Sequence, residues 1–317
     1  MIRINSRGLE AKLLDQTLLV FVTVADKENF TRAAEELHMT QPAVSQYIQT
    51  LERIVGTKLL DRTNKYVRLN KAGEIVYHHA REILGLYTRM QYLINDLTQT
   101  ANGSLSIGAS YTYGEYVLPH IIAQLQRLYP LVKPTITIGN TKEIEQLVVS
   151  HQLDIGIVEG VLTHKQLYIE PFAEDYLSII VAANHDYANR DPMQLSELNE
   201  QTWIVREPGS GTREATDKMF ATFGLNPENI MEFGSTQIIK ESVEAGLGIT
   251  LLSHCTVVKE VSLGTLKMLQ FSEFPVIRNF SLITRVSPFY TKAMEVFLDI
   301  LRGDDGVRAC NKHITLK

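Results

Sequence analysis

Hydrophobic positions recur with a helical period near the start of the chain, with a heptad period after residue 74, and with strand-like alternation beyond residue 104. Within 29–56, Phe30, Ala33, Ala34 and Leu37 fall at helical spacing and make one small apolar face. Thr31 is read as the cap of that helix. His38, Met39 and Thr40 then form a turn, because Thr40 followed by Pro42 is the start signal of a second helix. A proline in a first helical turn lacks only an N–H that has no helical partner there. The second helix keeps Ala43, Val44, Ile48, Leu51 and Val55 on one side. Gln41, Ser45, Gln46, Gln49 and Arg53 lie on the other. A first helix over 15–27, carrying the run LLVFVTVA, is expected to pack beneath the pair.

Past this pair, Leu59 and Leu60 anchor a stretch in which Asn64 and Lys65 turn the chain and 66–69 alternate as a short strand. That is the outline of a two-stranded wing, with Arg62, Asn64, Lys65 and Arg68 placed to meet phosphate or a minor groove. A solvated charged hairpin fits the same residues. Segment 74–100 has no proline and one glycine, Gly85. Its apolar residues form two sevenfold series, Val76, Ile83, Met90, Leu97 and Ala80, Tyr87, Ile94. A dimerising helix is expected, in preference to an amphipathic helix lying on its own domain. His78 and His79 ride on it without acidic or cysteine partners at ligand spacing, so no metal site is expected. Residues 101–104 are small and polar, as a hinge requires.

From residue 105 strands and helices alternate. Strands are expected at 105–109, 135–139, 153–160, 168–172, 177–182, 203–206 and 249–253. Helices are expected at 114–128, 142–150, 212–223 and 236–245. This succession implies an α/β domain on a mostly parallel sheet, a fold that binds ligands beyond the carboxyl ends of its strands.

Composition narrows the function. A chain of 317 residues predicts two or three domains. Cys255 and Cys310 fit neither a metal nor a disulfide spacing, which suits a reducing cytosol. The opening residues hold charge but no apolar core, and LLVFVTVA is too short to span a bilayer, so no membrane partner is expected. Net charge is −5, yet between Arg53 and Lys71 six basic residues face one acid, Asp61. Short amide and hydroxyl side chains on an exposed helix, next to a locally basic wing, suit the DNA major groove. An ordinary helical hairpin would share the amphipathic pattern but not these surroundings.

Together these pieces resemble the LysR-type transcriptional regulators. The resemblance rests on Phe30-Thr31-Arg32-Ala33-Ala34, Leu37, Thr40-Gln41-Pro42-Ala43-Val44-Ser45, Leu51-Glu52, Gly56, Leu59-Leu60, Arg62 and Lys71-Ala72-Gly73. It implies a winged helix-turn-helix over 14–73, an antiparallel pair of linker helices over 74–100, and an effector domain over 105–302. The effector domain would hold two Rossmann-like subdomains similar to periplasmic binding proteins, one from 105–163 with 269–302 and the other from 165–268. Residues 303–317 form a tail with no assigned role. The implied partners are double-stranded DNA at an inverted repeat, further copies of the chain in a homodimer and a homotetramer, RNA polymerase, and a small polar or anionic effector. No cofactor and no enzymatic activity are implied. The wording Pro208-Gly209-Ser210-Gly211-Thr212-Arg213 looks like the subset that responds to sulfur or carbon-assimilation metabolites, with similarity to the regulators of sulfite-reductase operons.

Hydroxyls cluster at strand-to-helix junctions: Ser110, Tyr111 and Thr112; Asn140 and Thr141; Ser235, Thr236 and Gln237. The Gly-rich loop 207–213 opens a further helix. Free N–H groups at helix starts make anion sites, although plain N-capping explains any one junction. The resemblance places effector contacts at Ser110, Thr112, Thr141 and around Thr212, and the cleft is expected to include Glu159. Arg206 or Arg213 could pair with a carboxylate, sulfate or phosphate, and Glu207 could instead neutralise an arginine. The alternatives are an enzyme or a solute-binding protein on the same scaffold. No nucleophile elbow, dinucleotide fingerprint or nucleotide-binding Gly-Lys-Ser/Thr supports the first.

Overall fold

The computed structural model describes residues 7–62, 67–95, 101–190, 194–271, 274–287 and 289–303, with side chains left undescribed at 7–15, 62, 89 and 91–95. The chain divides into two units, one ending at Ile94 and the other starting at Asn95, with a short exchange at 150–152.

The N-terminal unit comprises α1 (Arg7–Lys27), α2 (Phe30–Glu36), α3 (Gln41–Val55), β1 (Leu60–Arg62), β2 (Val67–Leu69) and α4 (Lys71–Asn95). α1 starts well before residue 15. Phe21 and Val24 of α1 pack on Ala33 and Ala34 of α2 and on Val44, Ile48 and Leu51 of α3. The two alanines have so little side chain that α2 can sit close to both neighbours. α4 begins at Lys71, ahead of the expected 74, because Asn70 accepts the Gly73 N–H on Oδ1 at 2.9 Å and so caps it. The helix is described as far as Asn95, and the expected continuation to 100 lies outside the described residues.

In the C-terminal unit, β3 (Gly103–Ser110), α5 (Tyr111–Tyr116), α6 (Leu118–Leu128), β4 (Val132–Gly139), α7 (Thr141–Val149) and β5 (Ile155–Glu159) come first. Then follow β6 (Leu167–Ala182), β7 (Thr202–Arg206), α8 (Gly211–Phe223), β8 (Asn229–Phe233), α9 (Thr236–Glu244) and β9 (Thr250–Ser253). The unit closes with α10 (His254–Leu263), β10 (Leu266–Met268), β11 (Val276–Arg285) and α11 (Lys292–Arg302).

Several expectations need correction. The helix expected at 114–128 begins at Tyr111 and breaks at Val117, ahead of Pro119. The strands expected at 168–172 and 177–182 are one strand, β6, in which Ala173 and Asp175 face inward and Glu174 outward, continuing the alternation. Gly103, placed in the hinge 101–104, already belongs to β3. The main sheet is mixed rather than mostly parallel. β3 runs parallel to β4 and β5, whereas β11 is antiparallel to β5 and β6, and β6 to β9 and β10.

β6 and β11 are the strands that connect two cores. Ala173 and Phe280 belong to the first, with β3, α6 and α11, while Leu177 belongs to the second, with Trp203, Met219 and Leu251. The chain therefore crosses inside β6 and returns inside β11, not at 163–165 and 269. Both cores end their central strands at one place. Ser110, Glu159 and Arg206 are the last residues of β3, β5 and β7, and Asn140 follows β4.

Candidate functional site

In the N-terminal unit, α2 is capped by Asn29, whose Oδ1 accepts from the N–H groups of Thr31 at 2.8 Å and Arg32 at 3.1 Å. Asn29, not Thr31, is thus the cap, and Thr31 and Arg32 stay exposed in the first turn. Thr40 Oγ1 accepts from the Ala43 N–H at 3.4 Å, with Pro42 behind it, as expected for the start of α3. Gly56 ends α3 at φ 82, a left-handed conformation that suits glycine. Gln41, Pro42, Gln46, Gln49 and Arg53 are exposed and Ser45 is half-buried. Gln41 Nε2 donates to Ser45 Oγ at 3.1 Å and Arg53 Nη2 to Thr50 Oγ1 at 3.2 Å.

Sequence reasoning gave Glu52 no role beyond the resemblance. It is buried, and its carboxylate accepts from the Leu59 N–H at 3.1 Å and from Lys58 Nζ at 2.8 Å, fastening α3 to the wing. The signal was a lone acid beside Leu51 on the apolar side of α3. β1 and β2 pair antiparallel with Asp61 opposite Arg68, which is exposed. Asn64, Lys65 and the side chain of Arg62 lie outside the described residues.

On α4 the expected heptad face splits. Ala80 is 1 % exposed within the helix-turn-helix core and Val76 packs against that core, so their methyl groups serve their own unit. Ile83, Tyr87 and Met90 are exposed, and Leu86 joins them. The side chain of Ile94, and Leu97 altogether, are outside the described residues. His78 and His79 do have an acidic neighbour, contrary to expectation. Glu82, one turn on, lies 3.0 Å from His79 Nδ1 and 3.9 Å from His78 Nε2, on a solvent-facing surface.

In the C-terminal unit the junction residues converge. Ser110, Thr112, Thr141, Glu159, Arg206, Ser210, Thr212 and Thr236 are all buried. Arg206 lies over the Tyr111 ring at 4.5 Å. Its Nε and Nη2 donate to the two Glu207 oxygens at 2.7 and 2.8 Å, and its Nη1 donates to Thr236 Oγ1 at 3.4 Å. Glu207 also accepts from Asn140 Nδ2 at 3.3 Å, and the Gly209 carbonyl accepts the Lys142 N–H at 3.2 Å. These two bonds join the loop before α8 to the start of α7. Ser235 caps α9 through the Ile238 N–H at 3.4 Å.

Arg278 and Asp175 were not anticipated, since β11 itself was not. They sit opposite one another in the β6–β11 register. Arg278 Nε donates to Asp175 Oδ2 at 2.7 Å, Nη1 to Thr212 Oγ1 at 3.1 Å and Nη2 to Thr112 Oγ1 at 3.3 Å. Glu159 Oε1 stands 3.6 Å from Nη2. Its carboxylate also accepts from Ser110 Oγ, and its carbonyl accepts from Thr141 Oγ1 at 2.9 Å. One guanidinium thus ties hydroxyls from α5 and α8, on the two cores, to a pair of buried carboxylates. Arg278 stands in the alternating run VIRNFSLITR, where nothing local marks it as buried.

Burial pushes the Glu159 carboxyl up, and the Asp175 charge adds to this against the pull of Arg278. Burial disfavours charge on Arg278 too, but Asp175 and Glu159 together hold its pKa above the ordinary value. Burial also opposes charge on Glu207, yet the bonds from Arg206 and Asn140 leave its carboxyl below the usual range. Arg213 turns aside. Its Nε donates to Asp217 at 2.9 Å and its Nη1 to Glu232 at 2.9 Å, two acids that neutralise it. It flanks an open groove of about 730 Å³ lined by Thr141, Lys142, Gly209, Ser210 and Gly211. Ser178 Oγ and His254 Nε2 are 2.7 Å apart, while the nearby Asp175 is engaged by Arg278 and Ser253.

Comparison with known proteins agrees with both halves. Residues 16–74 match the bacterial regulatory helix-turn-helix of the lysR family, and 98–305 match the LysR substrate binding domain. The transcriptional regulator CysL of Bacillus subtilis is 37 % identical over 287 residues, covering 90 % of this chain and 96 % of that protein. A full-length OxyR variant from Pseudomonas aeruginosa superposes with a TM-score of 0.68 at 25 % identity, covering 91 % of this chain and 94 % of that one. The regulatory domain of CcmR from Synechocystis, solved with 2-PG, gives a TM-score of 0.59 at 27 % identity over 63 % of this chain and 96 % of that domain. With a DNA-reading helix-turn-helix at one end and an effector domain at the other, the chain belongs to the LysR family of bacterial transcriptional regulators.

Proposed function

We propose that this regulator binds an inverted-repeat promoter site in the cytosol as a dimer of dimers, and that a small anion between the two cores of its effector domain controls it. Gln41, Ser45, Gln46 and Gln49 read bases; Arg53, Arg62 and Arg68 take phosphate. The observation that carries the reading is the convergence of buried hydroxyls at the starts of α5, α7, α8 and α9 around Arg206 and Arg278, whose own charges are met by Glu207, Asp175 and Glu159. Such donors favour a carboxylate, sulfate or phosphate group. An effector that binds one closure of the two cores better than the other shifts their balance, and with it the spacing of the DNA-reading heads.

The likeness to CysL supports sulfur assimilation as the regulated process; activation in contact with RNA polymerase belongs to the same proposal. The test pairs a mobility shift on the protein's own upstream region with thermal stabilisation by sulfur and phosphate metabolites. A retarded complex whose affinity changes with a stabilising metabolite is the expected result. Equal effector affinity with and without operator DNA would sink the coupling.

A further inference from the structure

Beside the Arg278 cluster, over β6 and β11, lies a pocket of about 530 Å³ whose lining also takes in Arg278 and Gly211. Ile277 and Asn279 alternate with Arg278 along β11, so they point to the other face of the sheet. There they meet Pro171 of β6 and, from α8, Met219 and Phe223. The walls are mostly apolar, and Ile277 is 58 % exposed, a large hydrophobic surface left open to water. The volume is that of an ordinary small-molecule site.

The rim carries Lys218, with the acid Glu214 one turn earlier on the same helix. Asp217, next to Lys218, is drawn to Arg213 at 2.9 Å. Glu214, one turn earlier, is turned onto the loop at 160–161, where it accepts the Val161 N–H at 3.4 Å. It leaves no room there: a side chain at Gly160 would meet its Oε2 at 2.5 Å. Among the described residues Lys218 makes no ion pair, while Asn279 adds an amide beside the apolar wall.

We propose that this pocket is a second small-molecule site, adjoining the Arg206–Arg278 cleft, for an amphiphile with an apolar body and one carboxylate or similar anion. The body covers Ile277, Met219 and Phe223, and the anion meets Lys218. Its floor is the two strands that pass between the cores and its wall is a helix of the second core, so an occupant bears on the same closure as the cleft.

Octanoate is the probe, titrated into the full-length protein labelled with 13C at methionine methyls; Met219 is assigned through Met219→Leu. A saturable shift of the Met219 resonance is expected. Lys218→Glu should weaken octanoate at least tenfold and leave the neutral probe octanol within about twofold. Asn279→Trp, a rim substitution on an exposed position, should abolish both, with an unchanged melting temperature excluding unfolding. Thr112→Val, in the cleft, should change neither. The absence of a Met219 shift, octanoate binding that survives Asn279→Trp, or equal affinity in Lys218→Glu would each overturn the proposal.

Discussion

Arg278 joins Thr112 to Thr212 while facing Asp175 and Glu159, so its loss would strand two buried carboxylates. Arg278→Met should cost about 3–5 kcal/mol in denaturant melts. Arg278→Lys keeps the charge but not the planar fork, and should stay folded while losing effector-dependent DNA affinity. Thr112→Val should likewise bind DNA normally without responding to effector. Unchanged induction of a reporter in both variants would move the effector contact elsewhere. Glu159 predicts a pH effect of definite sign. Its folded pKa lies above the ordinary 4.5, so the folded state holds more protons than the unfolded one and stability falls as pH rises from about 4.5 toward the folded value. Glu207 works the other way, its contribution present above the ordinary value and lost as pH falls through its depressed folded value. Glu159→Gln should remove the alkaline-side decline while sparing the acid-side loss. Melts from pH 4 to 8 that retain the decline would contradict the assignment.

At the scale of elements, α3 separates specificity from affinity. Gln41→Ala should relax base preference by roughly 1–3 kcal/mol at one position. Arg53→Ala should weaken every sequence and lower the salt slope by about one. Selection on randomised duplexes with a salt titration checks both. Gly73 is another fixed point, since a Cβ there would lie 2.0 Å from the Leu59 carbonyl oxygen. Gly73→Ala should therefore cost about 2 kcal/mol or more and impair DNA binding with it. How much was legible varies with the length of each signal. α3 could be read because Thr40, Pro42 and Gly56 mark its ends and an unbroken apolar face lies between them. The buried junction positions of Ser110, Thr141 and Thr212 could be read because hydroxyls at helix starts leave a local trace. Arg278 and Asp175 left none. They meet only through the pairing of β6 with β11, 103 positions apart along the chain, and an arginine in a short alternating run reads as a surface residue. Glu174 and Asp175 together made β6 look interrupted, because a buried acid whose partner is remote cannot be told from a loop acid. Val76 and Ala80 met the heptad rule yet pack inward, since a period fixes a helix face but not what covers it.

For the whole molecule, the exposed Ile83, Leu86, Tyr87 and Met90 are the surface we assign to a second copy. Ile83→Glu with Met90→Glu should remove roughly 3 kcal/mol of apolar burial, about a hundredfold in dimer affinity. Sedimentation would report monomers, and operator binding would weaken and become concentration-dependent. Asn70 has a bearing on the same assembly. Besides capping α4 it gives its N–H to the Leu59 carbonyl at 3.1 Å and its Nδ2–H to that of Lys58 at 2.9 Å. Helix and wing root are therefore clamped together, and α4 acts as a lever arm rather than a tether. Its 25 residues reach about 37 Å at 1.5 Å per residue. By that length, a tilt of about 10° at the far end swings the head by roughly 6 Å, close to two base-pair steps of roughly 3.4 Å each.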